Sequence, residues 1–401
     1  MMSDELMTYL LELSIWDFVL MSAAFVLWCY LMYFALRYLD GVRRRRSGSG
    51  AEKKDNLQIV ESSNPQIPKD MGVTVVVCAR NEAAHLEPYL QSLLTQDYPE
   101  YEVIVVNDGS QDNTREVIEQ YERQYEHLHT TFVPAGARVQ STKKLALTLA
   151  AKAAKYDYLL LTDADCRPES SHWISEMMRP FGQEGIEVVL GYGGYFYEPG
   201  KVNRLTRYDT LYTGLLYLGA AIAGHPYMGV GRNLAYSKQL FFRSGGFSDL
   251  MHVRSGDDDL FVNKVANRKN TAVVLSPDSI TWSESKHTWH DWIIQRRRHL
   301  SVSPGYRPAT KLWLAAEPAI RGLFYVSLIL IGVFGHPIAW LAGLLLGTIR
   351  GITIATVINR GAHTLGERMF NPWRLWWYDI SMPLLTLYLM STNRSYRKLK
   401  W

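Results

Sequence analysis

Cysteine is scarce in this chain, and its scarcity argues against a disulfide-stabilised fold. The three cysteines, Cys29, Cys78 and Cys166, supply neither a disulfide framework nor the spacing of metal ligands. This usage fits a reducing compartment for the central part of the chain. A basic stripe with interleaved aromatic residues is also missing from the middle of the sequence. Nucleic acid is therefore not an expected partner.

Charge is absent from a long segment near the N-terminus. Residues 18–36, FVLMSAAFVLWCYLMYFAL, are nineteen uncharged residues, about enough to cross a hydrocarbon core of roughly 30 Å. Acidic residues precede this segment, whereas four arginines follow it at positions 43–46. Because positive charge stays on the cytoplasmic side, the pattern predicts an integral membrane protein with its N-terminus outside and the following domain in the cytosol. In a bacterium, this membrane is the cell inner membrane.

Charge is absent again towards the C-terminus. Residues 322–349 carry none, and Gly335 and Pro337 interrupt them. The pattern predicts a hairpin of two spans, at about 317–335 and 337–358. A further apolar segment, at about 375–392, either crosses the membrane or lies as a helix at its interface. The interfacial alternative is kept because a fourth crossing places the basic tail outside, against the charge rule.

These observations divide the chain into four predicted parts. They are an N-terminal membrane anchor at 1–42 with its span at about 16–37, a basic collar and linker at 43–71, a cytosolic domain at 72–300, and a C-terminal membrane region at 301–401. The linker is inferred from the polar composition of residues 47–70, which glycine and proline interrupt.

Strand and helix patterns alternate through the first half of the cytosolic domain. Apolar runs at 73–79, 101–106 and 158–162 predict strands, and helical patterns cover 83–96, 112–125 and 141–155. This alternation predicts an α/β fold with a mainly parallel sheet flanked by helices. Ligands of such sheets bind outside the carboxyl ends of the strands.

Four polar residues fall at the ends of the predicted strands, namely Asn81, Asp108, Asp163 and Asp165. We expect them to cluster along one edge of the sheet. Asp163 and Asp165 are like charges one residue apart, and a divalent cation such as Mg²⁺ or Mn²⁺ offsets their repulsion. A solvated turn is the better explanation of an isolated D-x-D, but the shared edge favours a metal site.

Three further segments carry candidate functional groups. GDDDL at 256–260 has more acids than helix capping needs, and makes either Asp257 or Asp258 a candidate general base. Lys143 or Lys144 is a candidate phosphate partner, with solvated surface as an equal alternative. In QRRRH at 295–299, Gln295 and Arg298 are either part of the site or part of a basic belt beside the membrane.

Six motifs together resemble the membrane-bound family 2 glycosyltransferases, including ceramide glucosyltransferase-like and poly-N-acetylglucosamine synthase-like enzymes. In chain order they are VVVCARNE, VIVVNDGSQDNT, LLLTDADC, GVGRNLAYSK, GDDDL and QRRRH. The resemblance covers about residues 72–300. It implies a GT-A nucleotide-diphosphate-sugar-binding domain with transmembrane helices at both ends of the chain.

The resemblance also implies roles for individual residues. The loop after the first strand and the end of the second hold uracil and ribose, the D-x-D holds Mg²⁺ or Mn²⁺ on the diphosphate, the later acidic motif supplies the base, and Q-x-x-R holds the acceptor and diphosphate end. The matching residues here are Ala79, Asn81, Glu82 and Asp108, then Asp163 and Asp165, then Asp257 or Asp258, then Gln295 and Arg298. Lys144 is the lysine assigned to the phosphates.

The implied function is an inverting, metal-dependent transfer of one sugar from a UDP-sugar to a membrane-resident, lipid acceptor. Two alternatives are a processive polysaccharide synthase and a non-catalytic, membrane-tethered subunit that binds sugar nucleotides. His299 stands where the family pattern carries Trp, and the C-terminal spans are few, which argues against the synthase. The intact metal and base candidates argue against the binding subunit.

Overall fold

The computed structural model describes residues 14–43, 71–134 and 141–396. The chain divides into two compact units. The helical unit comprises Met1–Asp40, Pro308–Arg360 and Met369–Trp401, and the sheet unit comprises Gly41–Arg307 and Gly361–Arg368. Most of the predicted collar and linker, residues 44–70, lies outside the described residues. The four-part division of the chain stays a prediction.

Up to residue 163 the predicted strands and helices are all present, and one further strand, at Leu128–Phe132, was not predicted. The strands are β1 (Val73–Ala79), β2 (Tyr101–Asn107), β3 (Leu128–Phe132), β4 (Tyr158–Asp163), β5 (Cys166–Pro168), β6 (Val188–Leu190), β7 (Gly193–Tyr195), β8 (Leu234–Ser237), β9 (Thr271–Val273) and β10 (Thr281–Ser283). The α-helices are α1 (Ile15–Phe34), α2 (Ala83–Leu94), α3 (Thr114–Glu122), α4 (Thr142–Ala153), α5 (Trp173–Met178), α6 (Lys201–Ile222), α7 (Lys238–Arg243), α8 (Asp259–Val265), α9 (Trp289–Leu300), α10 (Pro308–Phe334), α11 (Pro337–Thr364) and α12 (Pro372–Tyr396).

The larger sheet of the sheet unit has seven strands in the order β3-β2-β1-β4-β8-β6-β9. β1 pairs in parallel with both β2 and β4, and β2 pairs in parallel with β3. The predicted, mainly parallel α/β sheet is therefore confirmed. β8 runs antiparallel to β4 and β6, a reversal that the looser pattern after residue 190 did not reveal.

The core explains why β1 and α2 form where they do. Val73, Val75 and Val77 alternate along β1 and are fully buried. On α2, Leu86 and Leu90 recur at helical spacing and are buried in the same cluster. Burying one such side chain contributes about 1.5–3 kcal/mol. This packing fixes the point at which β1 ends and the following loop begins.

A second, three-stranded sheet has the order β5-β10-β7. β10 places Trp282 opposite Arg167 on antiparallel β5 and beside Gly194 on parallel β7. Each of its strands has three residues, too few to give a periodic pattern, so the sequence did not predict it. This sheet matters because β5 follows directly from the D-x-D segment.

Among the described residues, three helices are long and apolar enough to cross a membrane, namely Ile15–Arg43, Pro308–Phe334 and Pro337–Thr364. Candidate membrane helices therefore occur near both ends of the chain, as predicted. The turn between α10 and α11 lies at residues 335 and 336, where the two predicted spans meet. Helix α12 covers the last apolar segment but is not one of the three.

Candidate active site

The carboxyl ends of β1, β2 and β4 form one edge of the larger sheet. Cys78 on β1 lies beside Asp163 on β4, and the amide of Asp108 donates a 2.8 Å hydrogen bond to the carbonyl of Ala79. The structure thus brings Ala79, Asp108 and Asp163 to the edge where ligands of parallel sheets bind. Asn81 lies in the loop that follows β1.

The loop after β1 is braced by the loop after β2. Asn81 has a φ of 57°, and its backbone amide donates to Ser110 Oγ at 3.0 Å while its side-chain Oδ1 accepts from the Gln111 amide at 2.7 Å. Asparagine tolerates this left-handed conformation better than most residues. The Glu82 amide donates to Thr114 Oγ1 at 2.9 Å. The NDGSQDNT motif therefore sets the shape of the loop that carries Asn81 and Glu82.

Asp108 is oriented by the first residue of α4 and by an arginine. Its Oδ2 accepts a 2.5 Å hydrogen bond from Thr142 Oγ1 and lies 3.8 Å from Arg80 Nη1. The carboxylate is nearly buried, whereas the Arg80 side chain is mostly exposed. Asp108 is therefore held in place at the end of β2 by the first residue of α4 and by the loop after β1.

Lys143 joins two of the predicted acidic positions. Its Nζ donates to Asp163 Oδ1 at 2.7 Å and lies 3.4 Å from Asp257 Oδ2. Burial by itself raises the pKa of Asp163, but Lys143, followed by Arg232 and Arg298, holds that pKa below its ordinary value. A lysine ammonium thus lies between the D-x-D and the GDDDL segment.

Lys144, the lysine assigned to the phosphates, has a different position. Its Nζ donates to the carbonyls of Val253 and Ser255, both at 2.6 Å, and the residue is fully buried. Adjacent residues on a helix point in different directions, so only one of the two lysines faces the acidic edge. The structure does not bring the Lys144 amine to Asp163.

Asp165 is half-buried and forms no ion pair among the described residues. Burial and the neighbouring Asp163 carboxylate raise the pKa of Asp165. Within the described ranges, no three His, Cys, Asp or Glu side chains are gathered to hold a metal by themselves. Two carboxylates nevertheless suit Mg²⁺ or Mn²⁺, because such ions commonly take one or two carboxylates and complete their shell with substrate phosphates and water. The residues present fit the predicted metal.

The three aspartates of GDDDL have separate environments. Asp258 caps α8, with Oδ1 accepting from the Asp259 amide and Oδ2 from the Gly231 amide, each at 2.8 Å. Asp259 accepts from the amide of Leu260 and from the hydroxyl of Tyr306, at 2.7 and 2.9 Å. Asp257 faces Lys143. Of the three, only Asp258 is partly exposed, and burial followed by the Asp257 carboxylate raises its pKa.

Arg232 of the GVGRN loop links the two sheets beside the acidic pair. Its Nη1 donates to the Gly194 carbonyl at 3.0 Å, and its guanidinium carbon lies 4.3 Å from the centre of the Tyr195 ring. The hydroxyl of Tyr195 in turn accepts a 3.1 Å hydrogen bond from Gln295 Nε2. Arg298 is exposed on the same helix as Gln295, and its charge acts on Asp163.

Sequence reasoning missed two members of this cluster. Arg232 lies within a quoted motif, yet nothing in its spacing indicated that it stacks on Tyr195. Tyr195 lies on a three-residue strand that the sequence did not predict. Lys143 was weighed as an alternative to Lys144, and only the side-chain directions distinguish them.

Comparison with known proteins places this geometry in a family. Residues 74–247 match the model for Glycosyl transferase family 2. A poly-beta-1,6-N-acetyl-D-glucosamine synthase of Staphylococcus epidermidis is 32% identical over 111 residues, which are 28% of this chain and 25% of the synthase. The match therefore spans about a quarter of that relative's length. Glycosyltransferase AglE of Haloferax volcanii is 24% identical over 294 residues, covering 72% of this chain and 89% of that one.

A solved structure shares the fold. The mannosyltransferase PcManGT from Pyrobaculum calidifontis, solved in complex with GDP-Man and Mn²⁺, superposes with a TM-score of 0.59 at 21% identity, covering 95% of this chain and 100% of that one. This likeness confirms the predicted GT-A fold. Together with the family model matched over residues 74–247, it confirms the predicted resemblance to the family 2 glycosyltransferases.

Proposed function

We propose that the protein is an inverting, metal-dependent glycosyltransferase that moves one sugar from a UDP-sugar to a membrane-resident lipid acceptor. The observation that carries the proposal is the cluster in which Lys143 joins Asp163 to Asp257 at the ligand-binding edge of the sheet. This cluster provides carboxylates for a cation, a lysine for a phosphate and a base beside them. Departure of a nucleoside diphosphate needs these groups together.

The donor is held along the edge from β2 to β4. Asp108, with the loop residues Ala79, Asn81 and Glu82, binds uracil and ribose, and the bracing of the two loops keeps this surface in shape. Asp163 and Asp165 hold Mg²⁺ or Mn²⁺. When bound, the ion supplies Lewis-acid stabilisation of the charge on the leaving diphosphate.

Positive side chains complete the diphosphate end of the site. The phosphate role passes from Lys144 to Lys143, because the Lys144 amine is engaged by two backbone carbonyls. Lys143 and Arg298 bind phosphate oxygens by charge-assisted hydrogen bonds. Gln295 donates a hydrogen bond to the hydroxyl of Tyr195 and is assigned to the acceptor at this end of the site.

We assign the general base to Asp258 rather than Asp257. Asp258 is partly exposed, is aimed by two backbone amides, and has a raised pKa, which suits a carboxylate that must take a proton. Asp257 instead holds Lys143. Removal of the acceptor proton as the hydroxyl attacks gives a single displacement, which inverts the anomeric centre.

A lipid acceptor is supported by the candidate membrane helices at both ends of the chain. The charge pattern at 43–46 favours a cytosolic sheet unit, where soluble UDP-sugars are available. A processive polysaccharide synthase is the second candidate. It is favoured by the 32% identity to the poly-beta-1,6-N-acetyl-D-glucosamine synthase and disfavoured by His299 in place of Trp.

One experiment tests the proposal and separates the two candidates. The full-length protein, purified into lipid nanodiscs with a bacterial lipid extract, is incubated with Mn²⁺ and a panel of labelled UDP-sugars, with GDP-mannose included. We expect one UDP-sugar to label the organic phase as a single product, and an Asp163→Asn control to give none. Water-soluble polymer establishes the synthase instead, and label from GDP-mannose alone refutes the UDP assignment.

A further inference from the structure

Glu367 is a buried carboxylate far along the chain from every residue assigned above. It lies in the short connection between α11 and α12, in the segment Gly361–Arg368 that belongs to the sheet unit. Its Oε2 accepts from Arg207 Nε at 2.9 Å and Nη2 at 2.5 Å, and its Oε1 accepts from the Tyr192 hydroxyl at 3.0 Å. Two elements of the sheet unit are thus tied to one carboxylate.

The carboxylate packs directly against strand β7. A Cβ atom built on Gly194 would lie 3.2 Å from Glu367 Oε1, so the glycine allows the close approach. Tyr192, just before β7, accepts a 2.8 Å hydrogen bond on its carbonyl from Asn233 Nδ2. Asn233 follows Arg232, whose own Nη1 donates to the Gly194 carbonyl.

These contacts connect Glu367, through β7 and Arg232, to the acidic pair Asp163 and Asp165. Arg232 is held by the Gly194 carbonyl and by the face of Tyr195, and its charge acts on both Asp163 and Asp165. Arg232 Nη1 also lies 3.3 Å from Ser283 Oγ on β10, so a shift of β7 moves two of the three groups that hold Arg232. We propose that Glu367 is a positioning residue that fixes β7 and thereby sets Arg232 beside Asp163 and Asp165. This inference rests on the proposed function only for its effect on donor binding.

The use of a charged pair at this place supports a positioning role. A buried ion pair is weak evidence for stability, since well-packed apolar residues of similar volume often serve equally well. Arg207, however, donates two charge-assisted hydrogen bonds to Glu367 Oε2, which fix the position of that oxygen and leave Oε1 directed at Tyr192. The Tyr192 hydroxyl donates to the second oxygen, so the orientation of the carboxylate also sets the position of Tyr192. An apolar pair lacks this directional control over β7.

The test compares Glu367→Gln and Tyr192→Phe with a matched control in the same unit. Glu102 is also buried and accepts from Thr74 Oγ1 at 2.6 Å, but it lies at the amino ends of the strands, away from the site. Hydrogen–deuterium exchange of the full-length protein in detergent reports on residues 190–196 and 230–235. Calorimetry with UDP and Mn²⁺ reports on the diphosphate site.

We expect faster exchange in both segments for Glu367→Gln and Tyr192→Phe, with about 10-fold and about 3-fold weaker UDP affinity. Glu102→Gln should lower the unfolding temperature without either change. Unchanged exchange in the two segments of the Glu367 and Tyr192 variants overturns the inference, even if thermal stability falls. If exchange rises but the wild-type protein binds no UDP, the positioning role stands and the proposed donor is wrong.

Discussion

Asp379 and Asp163 are both shielded carboxylates, but their surroundings differ. Asp379, on α12 of the helical unit, is fully buried and accepts from Arg350 Nη2 at 2.8 Å, Arg350 Nε at 3.0 Å, Arg321 Nη1 at 3.1 Å and the Tyr325 hydroxyl at 2.7 Å. Asp163 of the sheet unit is half-exposed, has one lysine, and stands beside a second carboxylate.

The two environments balance charge differently. Around Asp379, two arginines are compensated by Asp379 and by Glu317, which pairs with Arg321 at 3.0 Å. Two carboxylates therefore balance two guanidinium groups within the helical unit. Around Asp163, the Asp165 carboxylate has a hydrogen bond only from the Cys166 thiol among the described residues. Asp379 is thus compensated by ion pairs, whereas Asp165 is not within the described part of the chain, and the proposed cation site rests on this difference.

The largest expected effect is on catalysis at Asp163. Asp163→Asn should lower turnover by about 1000-fold or more, because a metal-binding carboxylate supports several kcal/mol of charge stabilisation on the leaving group. The thermal unfolding midpoint should barely change, since the substitution also relieves repulsion with Asp165. Sugar transfer and differential scanning fluorimetry measure the two effects. Near-normal turnover with Mn²⁺ present shows that the ion is held elsewhere.

Asp379→Asn should give the opposite result. Removing one partner from a buried ion cluster leaves arginine charge uncompensated and costs about 3–5 kcal/mol. We expect a lower unfolding temperature in detergent and unchanged UDP affinity of the folded protein by calorimetry. A combined variant that replaces Asp379 and Arg350 by Leu and Met tests the origin of the loss. If the pair of changes is no more stable than Asp379→Asn, charge imbalance is not its cause.

The ends of the strands were predictable from the sequence, and the side-chain partners were not. The valine and leucine runs determine where β2 and β4 end, so the positions of Asp108 and Asp163 followed from local pattern alone. The choice between Lys143 and Lys144 depends on which side of α4 faces the edge. Glu367 is separated from Arg207 by 160 residues, and no local pattern reports such a contact.

The last prediction compares Asp257 with Asp258, two neighbours in one motif to which we assign different roles, and it has the smallest expected effect. Asp258→Asn should lower turnover by about 100-fold, since an amide cannot take the acceptor proton. It keeps an oxygen for one backbone amide, so UDP and Mn²⁺ should bind as in the wild type. Asp257→Asn removes the carboxylate charge that faces Lys143. This change should weaken UDP binding by about 10-fold or less, and its loss of turnover should be smaller than that of Asp258→Asn.

Single-turnover measurements with donor and acceptor at saturation separate these two effects. At saturation, weakened donor binding no longer limits the reaction, so the Asp257→Asn rate should recover, whereas the Asp258→Asn rate should stay low. The reverse pattern assigns the base to Asp257. Equal recovery of both variants removes the base from this motif. The raised pKa of Asp258 would then reflect burial and the neighbouring Asp257 carboxylate rather than a role as the base.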